Sequence, residues 1–511
     1  MSMPAEHLIS CPSLPDLLDG FADVPVILAD APAIVVTGVA LDSRRLDDGF
    51  LFLACAGASN HGLDFCTQAV RAGAVAIAFD SSTAKTLPNN LAVPLIPVDN
   101  LAARVGEIAN RFFARPSQQM KVVGVTGTNG KSTVAWLIAQ CLEILGMPCA
   151  YAGTLGYGVG AVDIDDDMTS PDAVEMHRRL AGFVDAGAQY AAIEVSSHAL
   201  DQRRVDGVKF DATLFTNLSR DHLDYHGDMR AYGEAKARLF VEYPADQRII
   251  NLDSEFGTQL ASRCPENLVT VSTNFDRVAN GRPYVFVRSV VANATGSEVV
   301  LHSSWGHAVL NVPLPGDFNI ANSVLVVAYL LSAGISLADA CDALSQVSAP
   351  PGRMQRVVAA AGPAVYVDYA HTPGAIEVAL RALRAHTRGR LWCVFGCGGD
   401  RDTGKRPLMG RVAERLADAL IITNDNPRSE SPVAIIADIS AGLANPARAT
   451  IIENRGAAIA WTIANAKSND VVLIAGKGHE NYQIIGSDRL DFSDYGAALG
   501  NLAARAGEAD A

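Results

Sequence analysis

Residues 122–133 read Val-Val-Gly-Val-Thr-Gly-Thr-Asn-Gly-Lys-Ser-Thr, and this stretch decides the fold class. An apolar strand leads into a glycine-rich turn, and a segment compatible with a helix opens at Lys131. In such a turn, backbone N–H groups and a helix N-terminus face a polyphosphate, the lysine neutralises charge and a hydroxyl can ligate Mg²⁺. Val125 stands where the strict phosphate-loop pattern has its first glycine. An ordinary strand–turn–helix corner is the alternative, and the coincidence of glycines, lysine and hydroxyls argues against it.

Length and composition set the broad class. With 511 residues the chain is too long for one typical domain, and its net charge of −14 argues against nucleic acid as the main partner. The nine cysteines include no CxxC pair, which favours free thiols in a reducing compartment. The first ten residues lack a signal-peptide pattern, and the longest apolar stretch, 324–333, is too short to span a bilayer. We expect a cytoplasmic protein without membrane insertion.

The order of apolar runs predicts an α/β protein of three domains, 1–117, 118–350 and 351–511. In the first domain, strands are predicted at 33–36, 50–53, 74–78 and 95–98, and a helix at 101–113. In the second, strands are predicted at 190–195, 212–216 and 248–251, antiparallel strands within 285–312, and helices at 229–240 and 319–333. After Pro350-Pro351-Gly352, strands are predicted at 365–368, 391–395, 419–423 and 471–475.

Three features of the middle section could carry chemistry. Glu194 ends a strand, where a carboxylate can hold Mg²⁺, although a capping role is about as good an interpretation. The loop 217–227 contains two histidines and two aspartates. Lys236, taken alone, is expected to be a surface lysine. The acidic run Asp163–Asp167 is expected to be a solvated loop rather than a metal site.

Four polar segments follow the predicted strands of the last section: 368–373, 396–406, 424–428 and 476–480. Each alone could be ordinary turn chemistry. Because ligands bind outside the carboxyl ends of parallel strands, the four together predict one ligand-facing rim.

These strings, in order along nearly the whole chain, closely resemble the Mur ligases, specifically the diaminopimelate-adding members. The matching strings are LDSR from Leu41, GTNGKST, EVSSHAL, RDHLDYHG, Ala235-Lys236, GDFNIAN, PGRM, DYAHTP, GGDRDTGKRP, DNPR and GKGHE. The resemblance implies an N-terminal UDP-sugar domain, a central ATPase domain with a mostly parallel sheet, and a C-terminal Rossmann-like domain that binds the amino acid.

The resemblance also implies a role for particular positions. Implied ATP contacts are Gly127, Thr128, Asn129, Gly130, Lys131, Ser132, Thr133, Asn319, Arg353 and Asp368. Implied contacts of the UDP-MurNAc-dipeptide are Leu41, Ser43, Ala58, Ser59, Asn60, Thr169, Ser170, Ser196, Gln202 and Arg204. Implied diaminopimelate contacts are Arg401, Asp425, Asn426, Pro427, Arg428, Gly476 and Glu480. Implied catalytic residues are Lys131, Glu194, His222 and Lys236, and implied Mg²⁺ ligands are Ser132, Glu194, His222 and Lys236 as a carbamate. Ser132 and Met168 are small departures from relatives that carry threonine and asparagine there.

The implied activity is ATP-dependent amide formation in peptidoglycan precursor synthesis. The D-Glu γ-carboxylate of UDP-MurNAc-L-Ala-D-Glu becomes an acyl phosphate, which the amine of meso-2,6-diaminopimelate attacks. A monomer working on small-molecule substrates is expected. The alternatives are an L-lysine-adding, other Mur or folylpolyglutamate-type ligase, a phosphate-loop switch or motor, and a non-catalytic binding protein that kept the fold.

Overall fold

The computed structural model describes residues 11–24, 34–57, 60–83, 87–162, 169–264, 266–274, 277 and 281–509. Ala58, Ser59, the acidic run from Asp163 and Met168 lie outside these ranges. The chain divides into two compact units. The first comprises Met1–Lys131, Leu142–Ile250 and Ser254–Leu268, and the second comprises Ser132–Cys141, Asn251–Asp253 and Val269–Ala511. Within the described ranges, no helix has both the length and the apolar character needed to cross a bilayer.

The first unit begins with a small parallel sheet of four strands in sequential order. The strands are β1 Gly38–Ala40, β2 Phe50–Ala54, β3 Ala76–Asp80 and β4 Leu95–Val98, and the helices are α1 Leu14–Leu18, α2 Cys66–Arg71 and α3 Val105–Phe112. Both faces of the sheet are buried, one under α1 and α3 and the other under α2. Burial on both faces explains the continuous apolar runs of β2 and β3.

The phosphate-loop strand lies inside the second set of strands in this unit. The elements between residues 121 and 263 are β5 Lys121–Thr126, α4 Lys131–Ile144, β6 Cys149–Gly153, β7 Gly156–Val159, α5 Ala173–Asp185, β8 Tyr190–Glu194, α6 Ser197–Asp201, β9 Phe210–Phe215, α7 Leu223–His226, α8 Met229–Val241, β10 Ala245–Asn251 and α9 Glu255–Arg263. Of these, Ser132–Cys141 in α4 and Asn251 in β10 belong to the second unit. The strand order is β10-β9-β5-β8-β6-β7, parallel except for β7. Val125 is in register with Glu194, and Thr126 with Phe215, so three strands end side by side.

The second unit contains an antiparallel group followed by two helices. Its first elements are β11 Leu268–Ser272, β12 Tyr284–Ala292, β13 Ser297–Ser303, β14 Gly306–Val312, α10 Asp317–Ser332 and α11 Leu337–Ser345. β12, β13 and β14 pair as antiparallel neighbours. The antiparallel strands predicted within residues 285–312 are therefore confirmed.

A six-stranded sheet completes the second unit in the order β15-β16-β20-β17-β18-β19, parallel except for β15. Its elements are β15 Gln355–Val357, β16 Ala364–Asp368, α12 Pro373–Arg384, β17 Leu391–Phe395, α13 Lys405–Leu416, β18 Ala419–Ile422, α14 Pro432–Ser440, β19 Ala449–Ile451, α15 Arg455–Asn465, β20 Val471–Ala475, β21 Tyr482–Ile485, β22 Asp488–Asp491 and α16 Asp494–Ala509. Helices α12, α13 and α14 cover one face, and α15 and α16 cover the other. The four polar segments therefore leave the sheet at one rim, at the carboxyl ends of β16, β17, β18 and β20.

The predicted α/β class with mostly parallel sheets is confirmed, and most predicted strands lie within two residues of the observed ones. The strand predicted at 33–36 is wrong. Its first residue lies outside the described ranges, and Val35 forms only an isolated bridge with Ser13. The reason is that backbone groups of Ile34 and Val36 bond to Leu14 and Pro12, next to α1, instead of to a sheet neighbour. The helix predicted at 101–113 divides into a 3-10 turn, 101–103, and α3.

Candidate active site

The glycine-rich turn after β5 is held by the segment that follows β9. Gly127 has φ +149°, and a Cβ there would lie 1.8 Å from Thr216 Oγ1, so the chain needs glycine at this point. Thr128 N–H donates to the Asn217 carbonyl at 2.8 Å, and Asn129 N–H donates to Asn217 Oδ1 at 3.0 Å. Helix α4 starts directly after the turn, which is the arrangement that binds phosphate groups.

Two lysines meet at one carbonyl of this turn. Lys131 Nζ lies 3.1 Å from the Gly127 oxygen, and Lys236 Nζ lies 2.8 Å from the same oxygen. Lys236 is buried, and its ammonium nitrogen stands 4.5 Å from the centre of the Tyr232 ring. Burial, and then the like charge of Lys131, lower the pKa of Lys236 well below its usual value. The expectation of a surface lysine is therefore wrong, because α8 turns Lys236 inward.

Glu194 is a buried carboxylate at the end of β8. Its Oε1 accepts hydrogen bonds from Tyr151 Oη at 2.6 Å and Thr154 N–H at 2.9 Å. Thr154 Oγ1 also donates to Oε2 at 3.3 Å. A Cβ on Gly153 would lie 2.1 Å from Oε1, so this glycine makes room for the carboxylate.

Several predicted contacts of the UDP-dipeptide gather beside Glu194. Ser170 Oγ donates to the Glu194 carbonyl at 3.0 Å, and Thr169 Oγ1 lies 3.0 Å from Thr154 Oγ1. Arg204 donates to the Ser170 carbonyl at 2.7 Å and to Gln202 Oε1 at 2.6 Å. Ser196 N–H donates to Ser170 Oγ at 3.3 Å. The structure thus brings five of the predicted residues into one hydrogen-bonded group.

The remaining predicted UDP contacts lie on the small parallel sheet and its loops. Leu41 follows β1 and packs partly against the core, and Ser43 is buried in a 3-10 turn. Asn60 is exposed, and its carbonyl accepts from Gly57 N–H at 2.9 Å. Ala58 and Ser59 lie outside the described ranges. The structure therefore brings together only part of the predicted nucleotide-sugar contacts.

His222 belongs to a cluster of aromatic rings. It adopts the left-handed conformation, φ +51°, immediately before α7. Its ring lies 4.9 Å from that of His198 and 6.0 Å from that of Tyr232. Its Nε2 is 3.5 Å from Asp221 Oδ2, and its side chain is 46% exposed, so the ring is accessible from solvent.

The predicted metal ligands differ in the donor atoms that they offer. In the described part of the chain, no three His, Cys, Asp or Glu side chains form a group that could hold a metal ion. The predicted set, however, includes a serine and a modified lysine. Glu194 offers carboxylate oxygens, and a carbamate on Lys236 would replace a cation by an anion with two further oxygens. Oxygen donors of these two types suit Mg²⁺ by their chemistry.

Asp368, from the first polar segment, lies close to the turn that precedes β15 and carries Arg353. Asp368 ends β16 and accepts from Met354 N–H at 2.7 Å and Ala370 N–H at 2.9 Å. Burial raises the pKa of this carboxyl group, and Arg353 opposes the shift. The Arg353 guanidinium stacks 4.6 Å from the Tyr369 ring, and its buried Nε has no hydrogen-bond partner among the described residues. Asn319 is buried at the start of α10, where it donates to the Pro315 carbonyl at 2.9 Å.

A polar network joins the segments after β18 and β20. Asn426 Nδ2 donates to Glu480 Oε2 at 2.9 Å. Lys477, which is fully buried, donates to Asn426 Oδ1 and to Glu480 Oε2, both at 3.0 Å. Gly476 has φ +119°, and a Cβ there would lie 2.6 Å from Asp425 Oδ2. The network therefore holds two carboxylates, Asp425 and Glu480, at the same rim.

Arg428 points into this rim. Its backbone has φ +52°, and its N–H donates to the Ile484 carbonyl at 3.1 Å. Its Nη1 donates to the Gly399 carbonyl at 2.8 Å, in the segment that carries Arg401. A Cβ on Gly399 would lie 1.9 Å from the Pro427 carbonyl oxygen, so the two loops pass very close to each other.

Sequence reasoning missed several residues that build the site. Tyr151 and Tyr232 lie in an apolar strand and a helix, with no local pattern that distinguishes them from core residues. Lys477 stands inside the GKGHE string and could have been chosen as a buried cation between two acids. Arg455 lies outside every motif, and its partners are far away along the chain, so no local pattern could have identified it.

The fold and site define a phosphate-loop α/β protein whose C-terminal sheet carries a second polar rim. Family models match three successive segments: "Mur ligase family, catalytic domain" at 35–113, "Mur ligase middle domain" at 125–330, and "Mur ligase, glutamate ligase domain" at 352–478. The chain belongs to the Mur ligase family, a family of ligase enzymes. The predicted resemblance is confirmed.

Individual relatives give the same result. The chain is 46% identical over 472 residues to UDP-N-acetylmuramoyl-L-alanyl-D-glutamate–2,6-diaminopimelate ligase of Pseudomonas aeruginosa, covering 92% of this chain and 96% of that protein. It is 43% identical over 469 residues to the enzyme of the same name from Haemophilus influenzae, covering 91% and 96%. A solved structure of a ligase of that name matches with a TM-score of 0.71 and 33% identity, covering 92% and 96%. A MurF ligase from Thermotoga maritima in complex with ADP shares the fold, with a TM-score of 0.57, 15% identity and coverage of 91% and 98%.

Proposed function

We propose that the protein joins meso-2,6-diaminopimelate to the D-Glu γ-carboxylate of UDP-MurNAc-L-Ala-D-Glu, with ATP as co-substrate, in peptidoglycan precursor synthesis. The observation that carries the proposal is identity of 43–46% over more than nine-tenths of the chain with relatives that bear this activity in their name. We infer three domains, 1–117 for the UDP-sugar, 118–350 for ATP and 351–511 for the amino acid. We also infer a monomer that works in the cytoplasm.

The central turn would bind the triphosphate. Gly127–Thr133 combines a glycine-shaped turn, a helix start and Lys131, which suits an anion. A free carboxylate is a poor electrophile, so transfer of the γ-phosphoryl group to the D-Glu carboxylate makes it reactive. Attack by the amine then forms the amide and releases phosphate. Asn319, Arg353 and Asp368 are proposed to assist nucleotide binding.

Mg²⁺, when bound by Ser132, Glu194, His222 and carbamylated Lys236, would neutralise charge on the phosphoryl group. Lys236 is suited to carbamylation because only an unprotonated amine attacks CO₂, and its lowered pKa raises the fraction of the amine that is unprotonated. The carbamate converts a group that would repel the ion into one that attracts it. Tyr151 and Thr154 hold the Glu194 carboxylate in one orientation.

The rim of the C-terminal sheet would select the amino acid. Diaminopimelate has a second carboxylate and a second ammonium group at its far end. Arg428 and Arg401 provide guanidinium groups for carboxylates, and Asp425 and Glu480 provide carboxylates for ammonium groups. L-lysine has no carboxylate at its far end, so it would lack the charged partner that diaminopimelate offers to the half-buried Arg428 and the exposed Arg401.

The dipeptide substrate would lie along the group formed by Thr169, Ser170, Ser196, Gln202 and Arg204. Leu41, Ser43 and Ala58-Ser59-Asn60 are proposed to contact its UDP moiety. Arg45 lies 3.7 Å from Asp172 and so ties the Ser43 turn to the chain just after Ser170. This ion pair supports a continuous binding surface from the UDP contacts to the dipeptide contacts within the first unit.

The test is phosphate release from ATP with UDP-MurNAc-L-Ala-D-Glu, measured with diaminopimelate, with L-lysine and with neither. We expect release to require diaminopimelate and to match, mole for mole, a UDP-tripeptide detected by mass spectrometry. Equal turnover with L-lysine would identify a lysine-adding ligase instead. Nucleotide hydrolysis that ignores every amino acid would contradict the proposal entirely.

A further inference from the structure

Arg455 and Asp494 form an ion pair that no part of the proposed reaction uses. Arg455 is the first residue of α15, and Asp494 is the first residue of α16. Arg455 is 1% exposed and Asp494 is 0% exposed. Removing two charges from water is expensive, and apolar residues of similar volume often give equal or greater stability. A contribution to stability is therefore a weak explanation for the presence of this buried ion pair.

The contacts of Arg455 lead to the amino-acid rim. Its Nε and Nη2 donate to the two carboxylate oxygens of Asp494, both at 2.7 Å. The remaining donors reach two backbone carbonyls: Nη1 bonds to Asn424 and Nη2 to Ala475, both at 3.0 Å. Asn424 directly precedes Asp425, and Ala475 directly precedes Gly476. One side chain thus binds the starting points of both loops that form the rim.

The sheet connects these two strands only through a third one. β18 and β20 are not neighbours, because β17 lies between them and pairs with each. No ladder hydrogen bond therefore joins the ends of β18 and β20 directly. The planar guanidinium spans that gap with donors in a fixed geometry, which a lysine ammonium cannot reproduce. Asp494 fixes the orientation of the Arg455 guanidinium by accepting two hydrogen bonds from it.

Arg455 also contributes charge. Its Nη1 lies 3.9 Å from Asp425 Oδ2. Asp425 and Glu480 are both carboxylates at the same rim, and Lys477 already pairs with Glu480. Arg455 is the corresponding cation beside Asp425. Each carboxylate thus has a buried cation behind it, which holds it in place for an incoming ammonium group.

We propose that Arg455, oriented by Asp494, is a positioning residue for the amino-acid site: it sets the spacing of the loops after β18 and β20 and the placement of the Asp425 carboxylate. The proposal rests on the proposed function, since it assigns Asp425 to an ammonium group of diaminopimelate. It gives Arg455 no contact with the nucleotide or with the UDP-dipeptide. Its loss should therefore affect one substrate selectively.

The experiment compares the full-length wild type with Arg455→Met/Asp494→Leu, in which both charges are replaced by apolar side chains. We expect the double variant to melt at or near the wild-type temperature and to raise the KM for diaminopimelate about 10-fold or more, because small displacements of positioning groups have large kinetic effects. The KM values for ATP and for the UDP-dipeptide should stay within twofold. The diaminopimelate KM of Arg455→Lys should lie between those of the wild type and the double variant. Lysine keeps the positive charge but lacks the planar guanidinium with its several donors.

Arg384→Met is the matched control. Arg384 also pairs with an aspartate, Asp418 at 2.8 Å, and with a backbone carbonyl, but it lies at the amino end of β18. The KM of Arg384→Met for diaminopimelate should equal that of the wild type. A folded double variant with an unchanged diaminopimelate KM, or with all three KM values raised equally, would overturn the inference. If the double variant does not fold, Asp494→Asn decides by the same KM comparison. A wild type that does not use diaminopimelate would instead refute the proposed function.

Discussion

At the scale of single residues, the burial of Lys236 is the most informative finding. Its charged form would be desolvated and would face Lys131, and these two effects lower its pKa. The sequence did contain a signal. Tyr232, Leu239 and Phe240 are spaced four, three and four residues from Lys236 and share its buried helical face. The motif residues could be predicted, but the protonation of Lys236 required the contacts made by the folded chain.

The pKa shift gives a prediction about Lys236→Met in CO₂-free buffer. The unfolded chain keeps a proton on this lysine up to its ordinary pKa, whereas the folded chain releases that proton at a lower pH. Wild-type stability should therefore rise with pH between the lowered folded pKa and 10.5, by at most about 1.4 kcal/mol per pH unit. The variant should lose this slope, gain stability at neutral pH and lose activity. Urea melts at several pH values measure the free energy of unfolding of both proteins. An equal pH dependence of that free energy in wild type and variant would contradict the prediction.

At the scale of elements, the sequence predicted parallel strands well, because burial on both faces produces continuous apolar runs such as Val471–Ala475. It missed β6 and β7. Their residues, with Gly153, Gly156 and Gly158 among them, do not resemble a typical strand. The glycine at the end of β6 has a specific reason, since it leaves space for Glu194. Such a requirement comes from a neighbouring strand and cannot be derived from local sequence.

Gly153→Ala tests that element-level argument. The new methyl group would overlap Glu194 Oε1, so either the carboxylate or the strand end must move. We expect kcat to fall at least 10-fold and stability to fall by about 1–3 kcal/mol, as for overpacked sites. Activity assays and thermal melts measure the two effects.

The control for Gly153→Ala is Gly182→Ala, in the interior of α5, where nothing lies within 4 Å of the added Cβ. It should stabilise the protein by roughly 0.5–1 kcal/mol and leave kcat unchanged. Full activity in the Gly153 variant would mean that the position of Glu194 is not critical.

At the scale of the whole molecule, the sequence predicted the succession of α/β segments from its phosphate-loop turn, its strand periodicity and the break at Pro350-Pro351-Gly352. The C-terminal rim could be located because polar loops follow parallel strands. The cation behind Asp425 could not be located, since Arg455 and its partner Asp494 belong to helices on one face of the sheet. Which part of the chain can fold alone likewise depends on contacts between residues far apart in sequence, so the sequence alone does not reveal it.

The inferred C-terminal domain, residues 351–511, should fold by itself. Its six-stranded sheet has a buried apolar cluster on each face, and helices from the same segment supply most of the cover, with Phe318 of α10 also packed against one cluster. Its buried ion pair, Arg455–Asp494, is also internal to the segment. The isolated fragment should unfold in one cooperative transition, with an enthalpy of roughly 110 kcal/mol near 60 °C. It should not hydrolyse ATP, because it lacks the central turn. Calorimetry and circular dichroism measure the transition, and a fragment that shows no cooperative melting would contradict the boundary at 350.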